Sequence, residues 1–447
     1  MSTTPLVLGS EKIGKLLRQY AFPSIVAMTA ASLYNMIDSI FIGHGVGALA
    51  ISGLALTFPL MNLSAAFGSL VGAGAATLVS VSLGQKNYER ATNVVGNVVS
   101  LNIIIGSAFT LFSLIFLDPI LLFFGASQAT LPFARDYMRI ILWGNIITHI
   151  FLGLTAVLRS CGYPKKSMII TVATVILNGI LDAFFIFVLG MGIKGAALAT
   201  ILAQAICLIP VFHHFMNKKS FIHFKKGCFR LRAKIVKNSL SIGLSPFLMN
   251  LCACFVVIFI NQGLNRYGGD LSIGAYGIIN RIGFIFIMIV MGLNQGIQPI
   301  AGYNYGAHQI DRVKEVLKKG IGWGIVIMTI GFLLAELFPR SLVTIFTVDV
   351  ELIRRSEEGL RIVCMAFPII GFQMVVTNFF QSIGMPKISI FLSLTRQLIF
   401  LIPGLIILPL FFDGLGIWIS MPIADILAAI LAGIVLYKKR KLFTTVY

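Results

Sequence analysis

Three carboxylates fall where water should not reach them. Asp38, Asp182 and Asp425 each lie well inside a long apolar run, and a charge within hydrocarbon costs about 2.5 kcal/mol or more, so each needs a reason for being there. Asn178 and Asp182 are four residues apart, which on a helix places them on one face, one turn from each other. With Asp38, in the stretch Tyr34-Asn35-Met36-Ile37-Asp38, and with Thr200 further along the chain, they can complete an oxygen-lined pocket. Carboxylate, amide and hydroxyl oxygens hold a hard cation such as Na+, and the same carboxylates can carry a proton. The alternative is that these groups only hydrogen-bond neighbouring helices. Arg396 and Asp425 can pair across adjacent helices, a structural role ahead of a functional one. Arg281 has no acidic neighbour in its own apolar run.

Neutral polar residues accompany the charges. Asn280, Asn294, Gln295, Gln298, Gln373, Asn378 and Gln381 lie in apolar runs of the second half. They either line a wet passage or bond helix to helix. Met36, Met61 and Met288 offer an adaptable apolar lining of the kind promiscuous sites employ. Asn35, Met36, Met61, Met288, Gln295 and Gln373 are therefore the candidate lining of a substrate cavity. Other chemistry is excluded. There is no phosphate-binding Gly-rich sequence ending in Gly-Lys-Ser/Thr, so ATP hydrolysis is not expected. The six histidines show no zinc spacing, so no metal is expected beyond Na+ at Asp38, Asn178, Asp182 and Thr200. The six cysteines are scattered, without disulfide or metal spacing, and read as small core residues. No catalytic constellation, and so no enzyme and no cofactor, is expected.

The elements that must position these residues are membrane helices. Hydrophobic residues make up 57% of the 447 and charged residues only 11%, a balance that suits lipid rather than water as solvent. The formal charge of +19 resides in short gaps between apolar runs, where basic residues act as topology signals rather than as a nucleic-acid surface. A helix needs about 20 apolar residues to cross the hydrocarbon core. Twelve spans are predicted: 14–41, 51–82, 92–116, 136–158, 167–189, 195–216, 238–262, 271–302, 318–338, 360–382, 388–411 and 416–437. The start of the chain lacks a cleavable signal, so the first helix is expected to stay in the membrane. Assigning the gaps alternately places most of the 35 Lys and Arg on the side of the N-terminus. Both termini are then expected in the cytoplasm of a multi-pass plasma-membrane protein. The most basic gap, 217–237, reads as a solvated linker between an N-lobe, 1–216, and a C-lobe, 238–447.

The halves repeat. At one constant shift Gly74 matches Gly296, Gly84 matches Gly306, Arg90 matches Arg312, Ser160 matches Ser382, Gly162 matches Gly384, and Pro164 matches Pro386; Pro23 and Pro246 pair one residue off. A repeat of six spans begins and ends on the same face, so the copies are parallel. The fold expected is all-α: twelve transmembrane helices in two pseudo-symmetric six-helix bundles. The same shift carries Asn178 onto Phe400 and Asp182 onto Gly404, so an ion site on these residues is asymmetric.

The stretch from Tyr34-Asn35 through Asp38 to Phe41-Ile42-Gly43, the loop Leu83-Gly84-Gln85-Lys86-Asn87, and the pair Gly162-Tyr163-Pro164 and Gly384-Met385-Pro386 give the chain its resemblance. It resembles the multidrug and toxic compound extrusion (MATE) family, in its bacterial branch, over essentially the whole length. The resemblance implies a secondary-active exporter of organic cations and other drugs, driven by inward Na+ or H+ through alternating access of two lobes. It also implies a cation site on Asp38, Asn178, Asp182 and Thr200, and a bending point at Pro23. Another branch of the family uses acidic residues in the seventh and tenth helices; this chain has none in those predicted spans, so coupling through its C-lobe is not expected. The expected partners are small amphipathic or cationic organic compounds and membrane lipid, and the expected state is a monomer. The competing readings are a lipid-linked precursor flippase of the same superfamily, which would want a more basic cavity, and an integral-membrane lipid-modifying transferase, which would want closely spaced His, Asp or Glu at one interface.

Overall fold

A computed structural model describes residues 7–46 and 48–440; the side chains of 33–40, 43, 44, 48, 49, 51, 265 and 268–270 lie outside the description. Among the described residues there is no strand. The helices that match the predicted spans are α1 (Ile13–Gly45), α2 (Ser52–Gly84), α3 (Tyr88–Ile115), α4 (Leu131–Ser160), α5 (Pro164–Val188), α6 (Ile193–Met216), α7 (Ala233–Leu264), α8 (Leu271–Gly306) and α9 (Ile310–Leu337). They continue through α10, in two arms (Val350–Cys364 and Phe367–Ser382), to α11 (Pro386–Ile407) and α12 (Pro409–Lys438). Leu111, Phe112, Trp143 and Ile180 are among the large apolar side chains left exposed, as expected of helices whose outer faces meet lipid.

Two elements differ from expectation for local reasons. The tenth span is bent by 49° between its arms, where Pro368 follows Phe367: proline lacks a backbone donor and its ring crowds the preceding turn. The first arm is amphipathic, with Glu351, Arg354, Arg355 and Glu358 in ion pairs along its surface, and the apolar part begins at the second arm. In α12 the helix is interrupted at Asp413, whose φ of 49° and ψ of −136° are not helical.

The repeat is written into the backbone. α4 ends with Gly162 at φ 102°, Gly162 N–H donating to Arg159 O and Tyr163 N–H to Leu158 O. α10 ends with Gly384 at φ 78° and the same two bonds, to Gln381 O and Phe380 O. Both are Schellman caps, which need a left-handed residue. α2 and α8 close with the same bonds but place Lys86 and His308, both at φ 57°, in the left-handed position.

The chain divides into two compact units: residues 1–11 with 26–247, and 12–25 with 248–447. The chain passes between them after Glu11, after Ile25 and after Phe247, and the last two points stand at equivalent places in the repeat. In the first unit a β-carbon on Gly74 would collide with the Ser239 carbonyl, and one on Gly243 with the Leu70 carbonyl. In the second, a β-carbon on Gly292 would lie 2.5 Å from Ile25 Cα and one on Gly296 2.5 Å from Ala21 N. Only glycine permits helix backbones to approach so closely.

The basic linker is tied down. Asn97 Nδ2 donates to Cys228 O and Arg230 O, at 3.1 and 3.0 Å, and its Oδ1 accepts Arg232 N–H at 3.1 Å. Ser100 Oγ donates to Phe229 O at 2.7 Å. Phe212, Phe215, Phe224 and Phe229 form a chain of ring contacts, and burial pushes the Cys228 thiol up. The Lys and Arg side chains of this segment remain exposed: the charges are solvated while the backbone packs on α3.

Candidate functional site

α5 and α6 bring three of the predicted site residues together in the first unit. Asn178, Asp182 and Thr200 are all buried, at 1%, 0% and 6% exposure. With the Asn178 amide oriented to satisfy both neighbours, its nitrogen donates to Asp182 Oδ2 at 3.0 Å and its oxygen accepts Thr200 N–H at 3.1 Å. Thr200 Oγ1 donates to Ala196 O at 3.1 Å. The spacing in sequence does this work: Asn178 and Asp182 share a helix face, and the short turn between α5 and α6 returns the chain so that Thr200 meets that face. Hydrogen bonds to an ionised group contribute about 1.5–3 kcal/mol each, which helps keep the carboxylate away from water.

Immediately beyond Asp182, residues Phe184–Val188 form a π-helical turn, a local widening often found at functional sites. The end of α1 packs on this turn. Phe41 and Phe187 meet edge to face with ring centroids 5.9 Å apart, and a β-carbon on Gly45 would lie 3.0 Å from the Phe187 ring. Asp38 lies on α1 three residues before Phe41, about 10 Å along the helix from its end; its side chain lies outside the described residues, as do those of Asn35 and Met36. The structure brings Asn178, Asp182 and Thr200 into contact, and the end of the helix that carries Asp38 packs beside them.

The other candidates are distributed differently. Met61 packs against the apolar core of the first unit and lies 3.6 Å from Thr57 Oγ1 through its sulfur. Met288 and Gln295 are half-buried on α8. Gln373 is buried, its Nε2 donating to Thr377 Oγ1 at 3.2 Å within α10. Pro23 is inside α1, two residues before the chain passes between units. Arg396 and Asp425 form an ion pair between α11 and α12, Nε to Oδ1 at 2.5 Å. The six cysteines are free, and no cluster of His, Cys, Asp or Glu suited to a metal exists among the described residues.

One buried polar cluster is not visible in the sequence. His149 is fully buried, its Nε2 lying 2.9 Å from Ser64 O and 3.1 Å from Ser64 Oγ. Ser64 Oγ also donates to Asn145 Oδ1, and Asn145 Nδ2 reaches Thr110 Oγ1 at 3.4 Å. The signal available is the four-residue step from Asn145 to His149, which shares a face in the same way as Asn178 and Asp182. The cluster joins α2, α3 and α4.

The MatE family model matches the chain twice, over residues 23–184 and 242–406, one match in each half. The chain is 27% identical over 430 residues to "Multidrug export protein MepA" of Staphylococcus aureus (strain MSSA476), covering 96% of this chain and 95% of that protein. It is similar to a solved structure of the "MATE multidrug transporter DinF-BH" in complex with a small molecule, with a TM-score of 0.90, 36% identity, and coverage of 97% and 98% of the two chains. A second structure, an outward-facing "multidrug resistance MATE family transporter of the MOP superfamily", matches with a TM-score of 0.92 at 23% identity over 99% of both chains, a likeness of fold. The two family matches cover most of the chain and coincide with its two repeats, so it belongs to the MatE family, whose members are transporters and not enzymes.

Proposed function

We propose that this protein exports amphipathic organic compounds, organic cations foremost, in exchange for an inward-moving Na+ or H+ bound at Asp38, Asn178, Asp182 and Thr200. The observation that carries the reading is the Asn178–Asp182–Thr200 cluster: a fully buried carboxylate within hydrogen-bonding distance of a buried amide, beside a buried threonine of the next helix. A carboxylate in this position can change its occupancy between a cation or proton and nothing as water gains and loses access. The names of the similar proteins, a multidrug export protein and a multidrug transporter solved with a small molecule bound, support a drug-like cargo. No cofactor is needed, since the ion gradient supplies the energy.

Pro23 is the bending point of this mechanism. It lies where α1 leaves one compact unit for the other, and a proline there removes one ladder hydrogen bond. A change of charge at Asp38, further along the same helix, can bias such a bend. The lobes are proposed as 1–216 and 238–447, joined by 217–237, with both termini in the cytoplasm and one copy of the chain as the working unit.

The experiment is efflux of a cationic dye from proteoliposomes with the Na+ and pH gradients imposed separately. Dye movement driven by one gradient, and abolished by Asp182→Asn, is the expected result. Dye movement that ignores both gradients would overturn the exchange.

A further inference from the structure

The second unit carries two guanidiniums and one carboxylate at a common depth. Arg281 stands ten residues into α8, Arg396 eleven residues before the end of α11, and Asp425 twelve residues beyond the Asp413 break in α12, about 15–18 Å along each helix. α11 runs opposite to α8 and α12, so the three distances are measured from the same side. Arg396 spends only Nε on Asp425; its two terminal nitrogens bond to nothing else among the described residues, although 31% of the side chain is exposed, against 6% for Asp425. Arg281 is exposed and has no acidic partner among the described residues.

Such donors cannot face hydrocarbon. An N–H without a partner in lipid costs several kcal/mol and a charge more, so at this depth both guanidiniums open onto water. The place in the repeat is informative too. The shift that carries α5 and α6 onto α11 and α12 puts Arg396 where the first unit has Thr174, one turn from Asn178. On one helix pair the first unit offers oxygen ligands; on the equivalent pair the second unit offers N–H donors. A tethered cation already satisfies Asp425, which leaves it no vacancy for a soluble one. Arg396 also lies within the π-helical stretch Thr395–Leu401, and the Tyr276 phenol is within its electrostatic reach. Tyr276 in turn lies beside Trp418, ring centroids 6.4 Å apart, so an aromatic surface adjoins the charge.

We propose that Arg396 is an oxyanion-binding site of the second unit, receiving the carboxylate of an amphipathic substrate on its two Nη groups. Asp425 is the positioning residue that fixes the guanidinium, and Arg281 adds a second positive charge at the same depth. The planar fork of Arg matches a carboxylate through two parallel hydrogen bonds, and the neighbouring rings suit the apolar body of the same molecule. The substrate range would thus include zwitterions and acids as well as simple cations. This inference rests on the transport reading above.

The test uses a xanthene dye with a free carboxylate and its ethyl ester, which differ in that one charge. In proteoliposomes the unsubstituted protein is expected to export both. The double variant Arg396→Gln/Asp425→Asn removes both members of the pair and strands no charge; it should lose about tenfold or more in transport of the acid while export of the ester stays within about twofold. Parallel loss of acid and ester, or no change in their ratio, would overturn the site. Arg396→Lys keeps the charge and loses the fork, and the ratio of acid to ester dissociation constants for the purified variant should rise by about threefold or more; an unchanged ratio would count against the proposal even if the double variant failed to insert. Ester efflux reports on the exporter itself, and the acid-to-ester ratio reports on Arg396.

Discussion

Gly296 on α8 lies against the backbone of Ala21 on α1, so closely that a β-carbon would stand 2.5 Å from the Ala21 nitrogen and 2.8 Å from the Tyr20 carbonyl carbon. Neither neighbour is a flexible side-chain end that could swing away. Gly296→Leu is therefore expected to destabilise the protein by about 3 kcal/mol or more, beyond ordinary overpacking, because backbone must move. Gly322→Leu, on α9, where nothing lies within 4 Å of the added carbon, should leave stability within about 0.5 kcal/mol. Thermal unfolding of both variants in detergent checks the contrast, and equal melting behaviour would refute the close approach.

The cation cluster makes a sharper functional prediction. Asp182→Asn preserves shape and keeps a partner for Asn178, but it cannot exchange a cation or a proton. Export of a cationic dye should fall to background while the protein inserts and melts nearly as before. Asn178→Ala leaves a buried carboxylate short of a hydrogen bond, so it should lower both transport and stability, the latter by about 1–3 kcal/mol. Asp38→Asn should match Asp182→Asn in transport, since both carboxylates are proposed to hold the same ion. Full export by both Asp variants would remove these residues from the mechanism.

Much of this arrangement is legible in the chain itself. The spans follow from apolar length, and the pairing of Asn178 with Asp182 follows from a four-residue step on a helix. What the sequence hides is tertiary. Lys86 and His308 occupy left-handed caps where composition would suggest glycine, because cap geometry is set by the hydrogen bonds around it. The bend in α10 is foreshadowed by Pro368, but the first arm is too charged to register as part of a span. Ser64 and His149 are 85 residues apart in the chain, a contact that no local pattern encodes. The linker reads as solvated from its charges, and only the packing shows Asn97 gripping its backbone.

That grip is itself testable. Asn97 is 1% exposed and satisfies three backbone groups of the linker at once. Asn97→Ala would leave those groups to find water at a packed surface. We expect a loss of about 2–4 kcal/mol from several hydrogen bonds removed together, and faster proteolysis between Lys218 and Lys234 by a Lys-specific protease. Unchanged cleavage would mean that the aromatic contacts alone hold the segment.

The paired caps allow the repeat to be tested through its backbone. Gly384 has φ 78° and nothing within 4 Å of an added β-carbon, so Gly384→Ala meets no steric neighbour and its cost is conformational. A left-handed alanine is disfavoured by about 1–2 kcal/mol, offset in part by the lower entropy of the unfolded chain, and a net loss of about 1 kcal/mol is expected. His308 has φ 57° in the equivalent cap of α8, and there the sign reverses: His308→Gly relieves a strained residue and should raise stability by a few tenths of a kcal/mol to about 1 kcal/mol. Lys86→Gly, at the same place in the first half, should behave as His308→Gly does. Chemical denaturation of the three variants measures the signs directly. A stabilising Gly384→Ala together with a destabilising His308→Gly would show that these positions do not share the left-handed cap.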